Sequence, residues 1–183
     1  MASDMPVSLF VADPLGSEAW ANNQPGAPLG RELQLADILK FIRDNQIRNV
    51  VWLTADVHYA AAHFYEPTQG AFSDFLPFWE FVAGPLHAGT FGPNKVDPTF
   101  GPKVMFNSVP DNQPQNAPPS AGQQFFGVGR VNASSRVLTI ELRNTAGQKL
   151  YSVELPPAKR WGHRHSCRGG RTAPPGGPET RSC

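Results

Sequence analysis

The chain changes its hydrophobic rhythm three times. Val7 to Ala12 is a short apolar run of strand length, followed by a Gly-, Pro- and Asn-rich loop from Asp13 to Leu29. Leu35, Ile38, Leu39 and Ile42 then recur at i, i+3, i+4 and i+7, which predicts a helix over residues 30–45 with Arg31, Glu32, Gln34, Asp37 and Arg43 on its wet side. Asn49 to Thr54 is a continuous apolar strand, the pattern of a sheet covered on both faces. Phe75 to Gly92 is aromatic and broken by Gly and Pro, with one strand expected near Trp79–Ala83; Phe78, Trp79 and Phe81 read as core. Asp97 to Ser120 reads as a polar loop with an extended piece around Val104. From Gln124 onward, strands over 125–131, 137–142 and 150–155 alternate, with turns at 132–135 and 144–147, giving a β-meander. The order of elements is α/β with an all-β end.

Composition narrows the picture. A chain of 183 residues, 40% hydrophobic, is long enough for one well-cored domain. Nineteen prolines and 17 glycines predict long irregular connections and argue against a helical bundle. The net charge of +1 hides an asymmetry. Residues 158–183 carry six of the Lys and Arg residues and one acid, so the preceding body is mildly acidic. That body offers no basic stripe, which excludes a nucleic-acid footprint. Both cysteines, Cys167 and Cys183, lie in the basic tail, so no disulfide framework holds the body. No apolar run reaches bilayer length, and the first residues show no secretory signature. Two domains of text follow: a structured body over 1–157 and a tail over 158–183 whose Arg, Gly and Pro content predicts disorder. The tail's abrupt change of composition looks like a different reading frame or a chance extension. Its His163-Arg164-His165-Ser166-Cys167 lacks zinc-ligand spacing.

Chemistry concentrates where the apolar strand stops, at Asp56-Val57-His58. Ligands for catalytic metals sit well at strand ends, where a rigid backbone meets a loop that opens on a cleft. In extended backbone, residues i and i+2 point the same way, so Asp56 and His58 would project together with Val57 turned to the core. A hard oxygen beside a borderline nitrogen suits two different ions or a two-metal site. Asp-x-His alone is equally compatible with a turn-capping carboxylate and a satisfied core histidine. A serine hydrolase would need a nucleophile on a strand-to-helix turn, and Ser73, Ser108 and Ser120 lack that context.

Longer stretches carry a family likeness. "NVVWLTADVHYAAAHFYEP", "FSDFLPFWEFVAGPLHAGTFGPNKVDPTFGP" and "PPSAGQQFFGVGRVNASSRVLTIELRNTAGQKLY", with "DMPVSLFVAD" and "GAPLGREL" before them, resemble the alkaline phosphatase D family, the PhoD-like phosphatases of the metallophosphoesterase superfamily. The resemblance implies a four-layer α/β/β/α sandwich and a binuclear iron and calcium site that hydrolyses phosphate mono- and diesters. It makes His58 an iron ligand and Asp56 a calcium ligand, and it implies an exported enzyme acting on small phosphate esters. The family's remaining ligands belong to an earlier half carrying G-D-x and G-N-H motifs, which this sequence lacks. The expectation is therefore the C-terminal half of the catalytic domain, with the upstream half as partner, an incomplete cage, and a sheet edge and an apolar face left bare. The alternative from another class is a non-catalytic remnant or interaction module.

Five further positions are weighed. His63 would approach the site if residues 60–64 turned helical, and otherwise packs locally. His87, in "GPLHAG", either lines a pocket or stabilises its loop. Asn94 and Asp97 offer oxygens to calcium or form Asx-turns. Arg31 binds phosphate or stays solvated at the helix start.

Overall fold

The computed structural model describes residues 1–13 and 16–158. A single long helix and short strands make three layers. The central sheet has four strands in the order β4 (Val51–Thr54), β6 (Phe78–Val82), β5 (Ala61–Tyr65), β8 (Pro102–Asn107). The β4–β6 pair is parallel, with Thr54 opposite Val82; the other two pairs are antiparallel. The β-meander forms a second sheet, β11–β10–β9 (Lys149–Leu155, Leu138–Asn144, Phe125–Val131). Two ribbons complete the strands: β1 (Leu9–Phe10) with β7 (Lys95–Val96), and β2 (Ala12–Asp13) with β3 (Gly16–Ser17). The architecture is thus mostly β with one helix.

Alternation along β6 shows how one strand serves two cores. Phe78 packs against the helix α1 (Glu32–Asp44), in a cluster with Leu35, Leu39, Trp52 and Tyr65. Trp79 and Phe81, whose rings stack at 5.6 Å, face the meander with Ile140 and Leu142. β4 alternates likewise, Trp52 to the helix and Val51 to the meander, so the apolar run Asn49–Thr54 is a strand covered on both faces. Full burial of a large apolar side chain contributes about 1.5–3 kcal/mol, so these two clusters account for the layering.

Several expectations need correction. The first apolar run does not make one continuous strand: β1 pairs with β7, and Ala12 belongs to β2. Glu32 is not on the wet side of the helix but is fully buried. Its carboxylate accepts the Leu29 and Asn22 backbone N–H groups, each at 3.0 Å, and the Asn22 amide at 2.7 Å, which ties the preceding loop to the first turn. Residues 60–64 are not helical. Ala61–Phe64 belong to β5, whose antiparallel partners on both sides supply ladder bonds that override a run of alanines. The extended piece around Val104 is a six-residue strand paired with β5. Of the sheet's two edges, β8 pairs only with β5 among the described residues and carries exposed Val104 and Met105, whereas the edge at β4 is covered. Residues 1–4 run beside it: the Met1 amine donates to the Val51 carbonyl at 2.7 Å, Leu53 N–H to Met1 O at 2.9 Å, and Ala55 N–H to Asp4 O at 2.9 Å. Helix and meander cover the two faces. The tail readings, including His163 to Cys167, fall on residues 159–183, outside those described.

Candidate metal-binding edge

The parallel strands β4 and β6 end side by side, closed by a hydrogen bond from Ala83 N–H to Thr54 O at 3.1 Å. Beyond them lie two loops, residues 55–60 and 83–94, at the carboxyl end of a parallel pair, where α/β sheets place ligands. The first loop turns sharply. Asp56 and His58 both adopt left-handed φ values, 65° and 62°, and Val57 N–H donates to Ala55 O at 2.8 Å. The backbone there is not extended, so the i, i+2 rule does not describe it. Val57 nevertheless goes into the core, at 3% exposure. Left-handed backbone costs a non-glycine residue about 1–3 kcal/mol where the surroundings impose it, less for Asp and His than for β-branched residues.

Asp56 is half-buried, and its Oδ2 is buried without a hydrogen-bond partner. Desolvation pushes its carboxyl above the usual carboxylate range; the Asp4 and Glu18 carboxylates push it further, and His58 opposes them. His58 is also half-buried. Its Nδ1 lies 2.7 Å from the Gly89 carbonyl, and Phe91 meets its ring edge-on at 5.3 Å between centroids. A carbonyl only accepts, so Nδ1 carries the proton and Nε2 is left as the lone-pair nitrogen. An orphaned carboxylate oxygen and an imidazole nitrogen on one turn are the donor types a cation takes, and they supply two of them. Among the described residues no group of three or more His, Cys, Asp or Glu side chains is placed to hold a metal ion. These two donors therefore fit part of a binuclear cage and do not complete one.

The other weighed residues fall elsewhere. His63, at 2% exposure, stands on β5 with Nδ1 3.2 Å from Glu80 Oε2. Its ring also lines a cavity of about 250 Å³ with Tyr59, Asn94 and Asp111. Glu80, fully buried, accepts from Val7 N–H at 2.7 Å, Thr54 Oγ1 at 3.0 Å and Tyr65 OH at 2.6 Å. Burial alone would raise its carboxyl. The contacts from His63, Tyr65 and Val7 outweigh that and hold it below the usual range. His87 is exposed, two residues from Gly89. Asn94 donates its amide to Phe10 O at 3.0 Å, and Asp97 accepts the Thr99 N–H at 2.9 Å in an Asx-turn. Arg31 donates to the Ser17 hydroxyl at 2.9 Å. The sequence reading missed Gly89, Phe91 and Asn116 around His58. The only available signal was the Gly/Pro-rich "GPLHAGTFGP" loop.

Compared with known proteins, the chain matches the family model for PhoD-like phosphatase over residues 1–142. No curated protein and no solved structure matches it.

Proposed function

We infer that this chain, which belongs to the PhoD-like phosphatase family, serves a metal-dependent hydrolysis of phosphate mono- or diesters and contributes Asp56 and His58 to its binuclear iron and calcium site. The observation that carries this reading is the buried, unpartnered Oδ2 of Asp56 beside an imidazole whose Nδ1 is already engaged. Elsewhere in proteins such an oxygen is hydrogen-bonded. The chemistry that a pair of cations supplies when bound is neutralisation of the phosphate oxygens and a water made nucleophilic at neutral pH.

The residues present do the holding. Asp56 presents a hard oxygen suited to calcium, and His58 a nitrogen suited to iron. Asp4 and Glu18 add negative potential that draws cations to the same edge. Neither Asp56 nor His58 is an acid–base group in this scheme. The remaining ligands, with the outer helical layer of a four-layer sandwich, come from the upstream half of the same domain. The helix, central sheet and meander are then three of the four layers. The family resemblance supports an exported enzyme, and no helix among the described residues is long and apolar enough to cross a membrane.

A second reading, a non-catalytic module that keeps this fold, is favoured by the lack of a third donor among the described residues. One experiment separates the two. Metal content of the purified chain and of His58→Ala is measured by inductively coupled plasma mass spectrometry, beside hydrolysis of p-nitrophenyl phosphate and bis(p-nitrophenyl) phosphate. Bound iron and calcium with turnover, both abolished in His58→Ala, support the enzyme. Metal and activity retained in His58→Ala would sink the ligand assignment. A folded chain with neither metal nor turnover, alone or mixed with an upstream half from a relative, supports the module.

A further inference from the structure

We propose that Gly89 is the positioning residue of His58: its carbonyl, held in place by the neighbouring Thr90–Ala117 bridge, fixes the imidazole as the Nδ1–H tautomer and offers Nε2 alone to a metal. The proposal rests on the reading of His58 as a ligand, but its structural content stands on the loop itself.

The His58 ring is held from two directions by one short segment. Gly89 O takes Nδ1–H at 2.7 Å, and the Phe91 ring stands edge-on at 71°. Phe91 N–H also donates to the His58 carbonyl at 3.4 Å, so backbone and side chain of the histidine are both tied to residues 89–91. That segment is in turn anchored far along the chain. Thr90, fully buried, exchanges two backbone hydrogen bonds with Ala117, at 2.8 and 2.9 Å, and its hydroxyl donates to Gln123 O at 2.7 Å. The neighbouring Gly92 pairs with the Gln115 amide, donating at 3.3 Å and accepting at 2.9 Å. The polar loop 108–124 is thus the back wall of the histidine's support.

Gly89 is not required by its backbone, since its φ is not in the left-handed region; the space beside it is taken by the end of the exposed Asn116 side chain. A Cβ at this position would lie 2.1 Å from Asn116 Oδ1 and 3.1 Å from its Cγ, against 3.4 Å from its Cα. The obstacle is therefore the Asn116 side chain and not its backbone. Any larger residue at 89 must displace either Asn116 or the carbonyl that holds His58. Ligating histidines characteristically donate their second ring N–H to such a partner, and losing it costs about 10–100-fold in metal affinity.

The full chain, labelled with ¹⁵N-histidine, gives the test. Long-range ¹H–¹⁵N spectra of His58 report which ring nitrogen is protonated, with or without metal. Cobalt(II) titration followed by its visible absorption reports affinity. Wild type is expected to show the Nδ1–H tautomer. Gly89→Ala is expected to show mixed tautomers and cobalt binding weakened by about 10–100-fold. Asn116→Gly keeps the left-handed backbone at φ 56° and removes the obstructing atoms. The pair Gly89→Ala/Asn116→Gly should therefore restore both readouts, and it keeps the test open even where the single variant folds poorly. An Nε2–H tautomer in wild type overturns the proposal. So does an unchanged His58 in Gly89→Ala, or a double variant as impaired as the single. Should wild type bind no cobalt while the tautomer follows the loop variants, the ligand reading fails and the positioning role stands.

Discussion

Among the described residues two carboxylate–imidazole combinations stand out, and their environments differ. Glu80 and His63 sit mid-sheet, where the carboxylate takes donors from Val7, Thr54 and Tyr65. Asp56 and His58 sit on a loop at the strand ends, and one Asp56 oxygen is buried with no donor. The same two residue types thus give a carboxylate with three hydrogen-bond donors in one place and a carboxylate with an orphaned oxygen in the other, while His63 Nδ1, 3.2 Å from Glu80 Oε2, makes an ion-pair contact and no hydrogen bond. A filled buried network rigidifies the fold; a half-filled one costs stability unless something else completes it. The site reading rests on that difference, because two side chains of matching type give no other reason to prefer one pair.

Several variants break or sharpen the comparison. The largest effect is expected on metal-dependent hydrolysis in an enzyme assembled with all its ligands. Asp56→Asn should lower kcat/KM by 100-fold or more, roughly the scale of losing a metal ligand's charge stabilisation, while Glu80→Gln loses activity only in proportion to lost fold. Phosphatase assays on folded material, checked by circular dichroism, decide this.

Stability should show the reverse order. Glu80→Ala strands the Val7 N–H and three side-chain partners, and is expected to cost about 3–5 kcal/mol in urea unfolding. Asp56→Asn should change stability by less than about 1 kcal/mol, or raise it, since it removes a charge that burial and two neighbouring acids disfavour. Equal losses for both variants would erase the contrast.

Acid should act through Glu80. The Glu80 carboxyl titrates lower in the folded chain than in the unfolded one. Its contribution is therefore fully present above the unfolded value of about 4.3, and it is lost as pH falls from there through the lowered native value. Unfolding free energy measured against pH should show that loss in wild type and lack it in Glu80→Gln. The smallest effect is expected far from both pairs. Phe41, 60% exposed on the outer face of the helix, should tolerate Phe41→Gln within about 0.5 kcal/mol by thermal unfolding.

Much of the fold was legible in the chain. The helix face Leu35, Leu39 and Ile42, the strand ending at Thr54 and the three-stranded meander all follow from local periodicity, because a buried stripe repeats at 3.6 residues and a covered strand at two or fewer. The family likeness was legible in long ordered motifs, which a match over residues 1–142 bears out. What stayed hidden depends on partners distant in sequence. Ala61–Tyr65 is a strand because β6 and β8 flank it, and its own alanines do not say so. Glu32 reads as surface until Asn22 and Leu29 are brought to it.

For the candidate site, the sequence by itself determined that a carboxylate and an imidazole stand together at the end of a buried strand. Only the tertiary structure decided which nitrogen of His58 is free, since a carbonyl 31 residues away accepts the other. Only it showed that one Asp56 oxygen is buried without a hydrogen bond, and that the His63 ring lies 3.2 Å from the Glu80 carboxylate. Residue type fixes what a side chain can donate or accept. Which of those bonds are already made is set by the atoms that the fold brings within about 3 Å.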